Sequence, residues 1–422
     1  MLVWSQTPRR WMSSSPSCPR LTPASPEKLE DEAGQYEPCR IETMRIGVLF
    51  GGPSPEHDVS ILTGLQAARA LSGLPDQEVL ALYWSRSGSF FQVDPALEAS
   101  AFAQGLPKGA NPVFVFSSEE GSKATGAGAS GGFGTTGRLG RRQSLGVEVV
   151  VNCCHGGPGE DGTLQGLLDC VGLPYTGPDV PGACLGMDKF AFAGAMERAG
   201  IPVLPRELAV KGVEPSFPGP YILKPRFGGS SIGIEVVKDA STAWARLGAS
   251  SHFSQGAVVE PYRPELSDLQ IAVLSWPDTR LSAIERPLRG DPTAEILNYR
   301  DKYVGGEGMA SAPRELPAKL EDSLAKHLRE TALTVALVAR VRGIARIDFL
   351  ADTNTGELFV NEVNTIPGSL ARYLWIDPPI AFKDLLLGLV REALERPTRH
   401  WTSAGADGSV LVSAGSIASK LA

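Results

Sequence analysis

Arg346, Asp348, Glu362 and Asn364 carry the densest chemistry in this 422-residue chain. They lie in two runs rich in β-branched and aromatic residues, 344–350 and 358–363, separated by Asp352, Thr353, Asn354, Thr355 and Gly356. That composition predicts a hairpin. Side chains alternate along a strand, so Arg346 shares a face with Asp348, and Glu362 with Asn364. With the turn centred near Thr355, Asp348 falls opposite Glu362 and Arg346 opposite Asn364. Facing carboxylates repel unless a cation sits between them, so the pattern asks for a metal. Oxygen donors alone favour Mg²⁺ or Mn²⁺ over Zn²⁺, with positions left open for water or nucleotide phosphates. A lone D-x-F would describe a solvated hairpin face; four such residues converging on one face describe a site.

The totals bound what such a site could serve. With 42% hydrophobic and 21% charged residues, the chain reads as an ordinary soluble globular protein, and its length suggests two or three domains. A net charge of -7 offers no basic stripe for nucleic acid. No apolar run approaches the roughly 18 residues of a membrane span. Six cysteines without a CxxC spacing point to a reducing cytoplasm, with Cys153 and Cys154 as buried small hydrophobes.

The elements that must position the site follow from patterning. Residues 1–43, proline- and serine-rich without apolar period, are expected to be a disordered leader, and Arg9 and Arg10 lack the apolar segment of an export signal. A strand at 46–50, Gly51 and Gly52, then Ile61, Leu62, Leu65, Ala68 and Leu71 at helical spacing open a doubly wound α/β domain. Ser54 and Pro55 suit the helix N-cap and first position, which puts Glu56 in the first turn. Strands are expected at 79–84, 112–116 and 147–152. The glycine-rich stretch between the last two contains a G-x-G-x-x-G at 132–137, but no strand precedes it and no helix opens there. It reads as a mobile insertion over about 117–146.

His155 stands beyond the 147–152 strand above a glycine turn, where α/β domains place ligand contacts. Lys189 begins a helix ending at Arg198. Lys224 ends a strand and roots the glycine-serine loop 225–233, which can wrap N–H groups and hydroxyls around phosphates. Strands follow at 257–260 and, after Asp268, at 269–275. The polar loop 298–309, with Lys302 and Tyr303, suits an active-site cover. Helices are expected at 318–341 and 381–395.

Eight blocks in register make the chain from Met44 to about Arg399 resemble the D-alanine:D-alanine ligase family of ATP-grasp enzymes. They are GGPSPEHDVS (51–60), HGGPGEDGTLQG (155–166), PYTGP (174–178), MDK (187–189), KPRFGGSSIG (224–233), DKY (301–303), RIDF (346–349) and NEVNTIPG (361–368). The resemblance implies a multidomain α/β and α+β protein with the ATP-grasp fold and an N-terminal doubly wound (preATP-grasp) α/β domain. Its parts would be a substrate-binding domain at 44–184, a lid subdomain at 185–262, a catalytic subdomain at 263–399 and a tail at 400–422. It implies ATP and D-alanine as substrates, two Mg²⁺ or Mn²⁺ ions, and a cytoplasmic homodimer making D-alanyl-D-alanine for peptidoglycan.

By the same resemblance, Glu56 anchors the first amino acid's ammonium and His155 lies near its carboxylate. Ser230 and Tyr303 form a hydrogen-bonded unit with Glu56. Lys189, Lys224, Ser230, Ser231, Glu260, Asp268, Lys302 and Asn361 hold ATP. Asp348, Glu362 and Asn364 hold the metals, Arg346 meets the transferred phosphoryl group and Gly368 donates to the tetrahedral oxygen. One departure stands out: five residues beyond Gly368, where the family usually has a serine for the second substrate's carboxylate, this chain has Tyr373. Ser369 or Arg372 would then take over. Another amino acid or D-lactate as acceptor remains the alternative, followed by a catalytically silent nucleotide-binding homologue. The misplaced glycine motif argues against an NAD-dependent oxidoreductase.

Overall fold

The computed structural model describes residues 44–75, 77–117, 131–137, 140–288, 313–398 and 404–413. The expected leader, the loop carrying Lys302 and Tyr303, and most of the tail lie outside them.

The first sheet is built on β1 (Met44–Gly51), followed by α1 (His57–Ser72), β2 (Gln77–Trp84), β3 (Phe90–Val93), β4 (Asn111–Phe116), β5 (Gly132–Thr136), β6 (Arg142–Ser144) and β7 (Val149–Asn152). Its order is β6-β5-β4-β3-β2-β1-β7. β1 is parallel to both β2 and β7 and buried from Ile46 onward, as its unbroken apolar run requires. α1 buries Ile61, Leu65, Ala68 and Leu71 against it. The doubly wound expectation therefore holds for β2-β1-β7 alone. The β2–β3, β3–β4, β4–β5 and β5–β6 pairs are antiparallel.

The glycine-rich insertion needs correcting as well. Residues 132–136 and 142–144 are strands. Phe133 is 1% exposed, meets the Phe90 ring edge-on at 5.6 Å and belongs to the core cluster that holds Trp84, Val113 and Leu168, supplying the apolar anchor that composition concealed. Glycine is needed at 134, since a Cβ there would lie 2.8 Å from the Phe114 ring and 2.9 Å from the Gln143 carbonyl. The G-x-G-x-x-G thus marks close strand packing, and residues 118–130 fall outside the description.

After β7 come α2 (Gly157–Glu160), α3 (Thr163–Val171), α4 (Val180–Met187) and α5 (Lys189–Arg198). A second, antiparallel sheet of order β10-β9-β11-β8 follows, from β8 (Glu207–Leu208), β9 (Tyr221–Pro225), β10 (Glu235–Val237) and β11 (Ala257–Pro261), with α6 (Ala240–Ala249) packed on it. The third sheet, β13-β12-β16-β17, comprises β12 (Ser267–Leu274), β13 (Arg280–Leu281), β16 (Ile344–Ala351) and β17 (Leu358–Asn364). A separate two-stranded pair joins β14 (Arg286–Pro287) to β15 (Arg314–Glu315). α7 (Asp322–Val338) covers the third sheet through Leu324, Leu328, Ala332 and Val335. α8 (Phe382–Glu395) returns to the first sheet, burying Leu386, Leu389 and Val390 in the core that holds Val149 and Val151.

Phe133→Ala should lower stability by about 3–5 kcal/mol, the usual cost of deleting a buried aromatic. Urea unfolding measures it, and a loss below about 1 kcal/mol would mean that the segment does not belong to the core.

Candidate active site

β1 sits between β2 and β7, so the chain leaves it in opposite directions, and the crevice beyond β1 and β7 is a topological switch point. Glu56 and His155 stand there. The helix after β1 starts later than the sequence suggests, at His57, with Glu56 in the cap position. Ser54 is diverted: its Oγ accepts the Glu56 N–H (2.9 Å) and donates to the His155 carbonyl (2.8 Å), tying the two loops together. The Glu56 carboxylate is buried, and Ser230 Oγ donates to it from the loop after β9. Glycines let the backbone approach it closely: a Cβ at residue 156 would lie 2.3 Å, and at 229 2.9 Å, from Glu56 Oε2, so a larger residue would push the carboxylate aside.

His155 is fully enclosed. Its Nδ1 is 2.7 Å from the Ile366 carbonyl, which can only accept, so Nδ1 carries the proton. Nε2 then accepts from Thr63 Oγ1 (2.8 Å), which in turn accepts the Ser369 N–H (3.0 Å). Burial pulls the imidazole down to about 4, against the Ile366 carbonyl and with Arg346 adding to the fall. Glu160, one helical turn away, spans the same loops: it accepts the Ile366 N–H (2.9 Å), the Thr365 hydroxyl (3.2 Å) and the Gly156 N–H (3.0 Å). Burial, reinforced by Glu56, pushes its carboxyl up to about 7. The sequence reading placed Glu160 in the loop without giving it a part.

On the hairpin the register is as expected: Asp348 pairs with Glu362 and Arg346 with Asn364, with an irregularity after Asp348. The neutralisation differs from expectation. Arg346 grips Asp348 through two bonds (2.7 and 2.8 Å), and Asn364 Nδ2 adds a third at 3.2 Å. Glu362 lies 3.8 Å from Lys189 Nζ. The facing carboxylates are therefore compensated by cations of the protein itself, and their proximity alone does not demand a metal. The oxygen donors of Asp348, Glu362 and Asn364 nonetheless share one side of the hairpin, a set that suits Mg²⁺ or Mn²⁺.

Lys224 ends β9, its Nζ 2.8 Å from Glu260 and 3.1 Å from Asn361 Oδ1. Glu260 is 1% exposed, and its other oxygen takes Arg206 Nε at 2.6 Å. Burial works against its charge, but Arg206 and Lys224 hold its carboxyl below the usual range. Arg206 also donates to the carbonyls of Lys189 (2.9 Å) and Asn361 (3.0 Å), binding three elements at one point. Nothing local in the sequence distinguishes it from a surface arginine. Burial lowers the Lys189 ammonium, which also donates to the Gly228 carbonyl.

Glu56, His155, Lys189, Ser230, Arg346, Glu362, Asn364 and Gly368 line one recess of about 40 Å³. A hollow of about 780 Å³, bounded by Glu56, Met187, Phe227, Gly229 and His252, adjoins it. Ser231 is left-handed (φ 58°) beside Ser230 (φ 53°). Asp268, half-buried, opens β12 opposite Leu350. Ser369 joins the His155 chain through its N–H, whereas Arg372 is exposed with its guanidinium 5.3 Å from the Phe382 ring centre. Lys302 and Tyr303 lie outside the described residues.

A glycine-serine loop on one antiparallel sheet, facing an acidic hairpin on a second, with an α/β domain completing the cleft, defines an ATP-grasp enzyme. Family models described as D-ala D-ala ligase N-terminus and C-terminus match residues 45–178 and 186–391. The D-alanine--D-alanine ligase of Methylobacterium sp. is 32% identical over 377 residues, covering 84% of this chain and 92% of that protein. The one from Chlorobium limicola is 30% identical, covering 83% and 97%. Among solved structures, the D-alanine-D-alanine ligase of Helicobacter pylori aligns with a TM-score of 0.62 at 25% identity, over 82% of this chain and 98% of that one. The VanG D-Ala:D-Ser ligase of Enterococcus faecalis aligns with a TM-score of 0.63 at 24% identity, over 83% and 100%, a likeness of fold. The chain belongs to the D-alanine–D-alanine ligase family.

Glu160 and His155 should tie stability to pH in opposite senses. The Glu160 carboxyl holds its proton more tightly folded than unfolded, so its contribution is complete below pH 4.5 and drains away as pH rises to about 7. The span corresponds to roughly 3 kcal/mol. His155 folds neutral, so its contribution is present above pH 6.5 and lost as pH falls towards about 4. Unfolding free energies of Glu160→Gln and His155→Asn, measured from pH 4 to 7.5, should diverge from the parent at opposite ends. Three parallel curves would contradict this placement of the two groups.

Proposed function

We infer that this protein is an ATP-dependent ligase that joins two D-alanines into D-alanyl-D-alanine, releasing ADP and phosphate. The observation that carries the reading is one recess in which a buried carboxylate, Glu56, meets the cations Lys189 and Arg346 and the oxygen donors of the hairpin. An amino acid's ammonium, its carboxylate and a nucleotide's terminal phosphate have counterparts there within a single space.

In that reaction Glu56 pairs with the ammonium of the first D-alanine, leaving its carboxylate to face Arg346. Lys189 and Lys224 draw the triphosphate in, each exchanging a protein carboxylate for phosphate oxygens. A carboxylate oxygen attacks the γ-phosphorus, the bond to the bridging oxygen breaks, and ADP leaves with the electron pair. Asp348, Glu362 and Asn364 would hold Mg²⁺ or Mn²⁺, which supplies neutralisation of the phosphate oxygens when bound. The second D-alanine's amine then attacks the acyl carbon, a C–N bond forms, and the C–O bond to phosphate breaks. The ammonium's protons pass to solvent and the departing phosphate. The Gly368 N–H is the donor assigned to the tetrahedral oxygen.

The loop 225–233 serves as the lid. Ser230 on Glu56 holds it down, and closure keeps water from the acyl phosphate. Glu260 acts by holding Lys224 in place, with Asn361, Ser231 and Asp268 as the further nucleotide contacts. Cytoplasmic peptidoglycan synthesis by a homodimer fits this chemistry; among the described residues no helix is long and apolar enough to cross a membrane.

Asp348→Asn should cut D-alanine-dependent phosphate release by on the order of 10²–10³-fold, the usual cost of losing one preorganised electrostatic contact. Parent enzyme supplied with ATP, Mg²⁺ and a panel of D- and L-amino acids and D-lactate should release phosphate with D-alanine and give the dipeptide by mass. Release with another acceptor but none with D-alanine alone would overturn the assignment.

A further inference from the structure

Glu160 lines the recess, yet both of its oxygens are taken up by the protein. Oε1 accepts the Ile366 N–H (2.9 Å) and the Thr365 hydroxyl (3.2 Å), and Oε2 accepts the Gly156 N–H (3.0 Å). Asp348, Glu260 and Glu362 are each matched by a lysine or arginine, whereas among the described residues Glu160 meets only backbone and hydroxyl donors. Burial and the nearby Glu56 both work against its charge. A carboxylate is still what the place requires. Donors converge on it from two sides, and a glutamine would turn its own amide hydrogens towards one of them.

The first of those sides leads to Gly368. Ile366 is gripped at both backbone groups, its N–H by Glu160 and its carbonyl by His155 Nδ1 (2.7 Å). Pro367 follows with φ fixed by its ring at -70°, so the direction set at Ile366 passes stiffly to Gly368. Beyond Gly368 the chain is fixed again. The Ser369 N–H is held by Thr63, and Leu370 and Ala371, left-handed like Ser369, are buried with Leu374 in a core that Tyr373 also packs against. Gly368 therefore stands between two anchored points. The second side leads to Glu56. Oε2 of Glu160 holds Gly156, whose backbone runs so near Glu56 that a Cβ there would lie 2.3 Å from the carboxylate.

We propose that Glu160 is a positioning residue for the ligation step: by taking donors on both edges of its carboxylate, it sets the spacing between Glu56 and the Gly368 N–H. The proposal rests on the ligase reading above. In an α-amino acid a single carbon separates the ammonium from the reacting carboxyl carbon. A site that anchors the one and stabilises charge on the other has little tolerance, since a displacement of about 1 Å costs on the order of 10²-fold in rate. Neither wall fixes that distance alone, because Glu56 comes from the loop after β1 and Gly368 from the chain after β17. Glu160, the last residue of α2, is bonded to the surroundings of both.

Assays at about pH 8.5 keep the parent carboxyl ionised, since burial raises it only to about 7. There Glu160→Gln should lower kcat for D-alanine-dependent phosphate release by about tenfold or more, with the KM for ATP within about twofold of the parent. A tetrahedral phosphinate analogue of the dipeptide spans both contacts, so its affinity should fall about tenfold or more while that of D-alanine falls less than about threefold. Glu160→Asp keeps the charge but is one methylene short, and its kcat should also stay about tenfold or more below the parent. Thr365→Val, which removes one donor from Oε1, should lower kcat about threefold at an unchanged KM for ATP, and it carries the test if Glu160→Gln does not fold. A smaller fall in either Glu160 variant, equal losses of analogue and D-alanine together with a lower melting temperature, or an unchanged kcat in Thr365→Val would overturn the proposal. A parent enzyme that releases no phosphate with D-alanine would instead sink the ligase reading, which distinguishes the two failures.

Discussion

The cleft depends on keeping several ionised groups out of water before any substrate arrives. Arg346 with Asp348, Lys189 with Glu362, and Lys224 with Glu260 and Arg206 are compensated pairs, most of them nearly solvent-free. Buried pairs of this kind contribute little net stability, and apolar residues of similar shape would often hold the fold as well. Their use lies elsewhere. Each pair keeps its carboxylate charged in a place where burial alone would favour the neutral form, and does so with groups that remain polar and exchangeable.

Backbone strain is arranged about this electrostatic core. Left-handed residues occur in the glycine-serine loop at Ser230 and Ser231 and, beyond Gly368, at Ser369, Leu370 and Ala371. Between them stands Glu56, closely approached by Gly156 and Gly229, where a Cβ would crowd its carboxylate. Such conformations persist only where surrounding contacts over-determine them. Here those contacts are the Ser230–Glu56 bond and the chain of donors from Ser369 through Thr63 to His155 and Ile366. The glycine-serine loop and the turn beyond Gly368 are thus linked through the loops beyond β1 and β7.

Much of the fold was legible because its signals are local. The hairpin register follows from a period of two and a turn of polar residues, and Asp348 does lie across from Glu362. The helices at Lys189, Asp322 and Phe382 begin and end within a few residues of their apolar patterns. Other features were hidden because their cause is distant. Glycine-rich residues 132–136 read as an unstructured insertion, yet a single phenylalanine packing on residues far away in the chain makes them a strand.

By itself, the sequence determined which groups could do chemistry and on which faces of their own elements they stand, since side-chain direction within a strand or helix is a matter of spacing. Only the tertiary structure decided what neutralises them: Lys189 against Glu362 comes from a helix more than a hundred residues before the hairpin, and Arg206 joins Glu260 to Asn361 with no local pattern to announce it. It also decided that Tyr373 rather than Arg372 turns inward. That choice rests on three left-handed residues held by core packing, and the energy holding them there comes from contacts that no sequence spacing encodes.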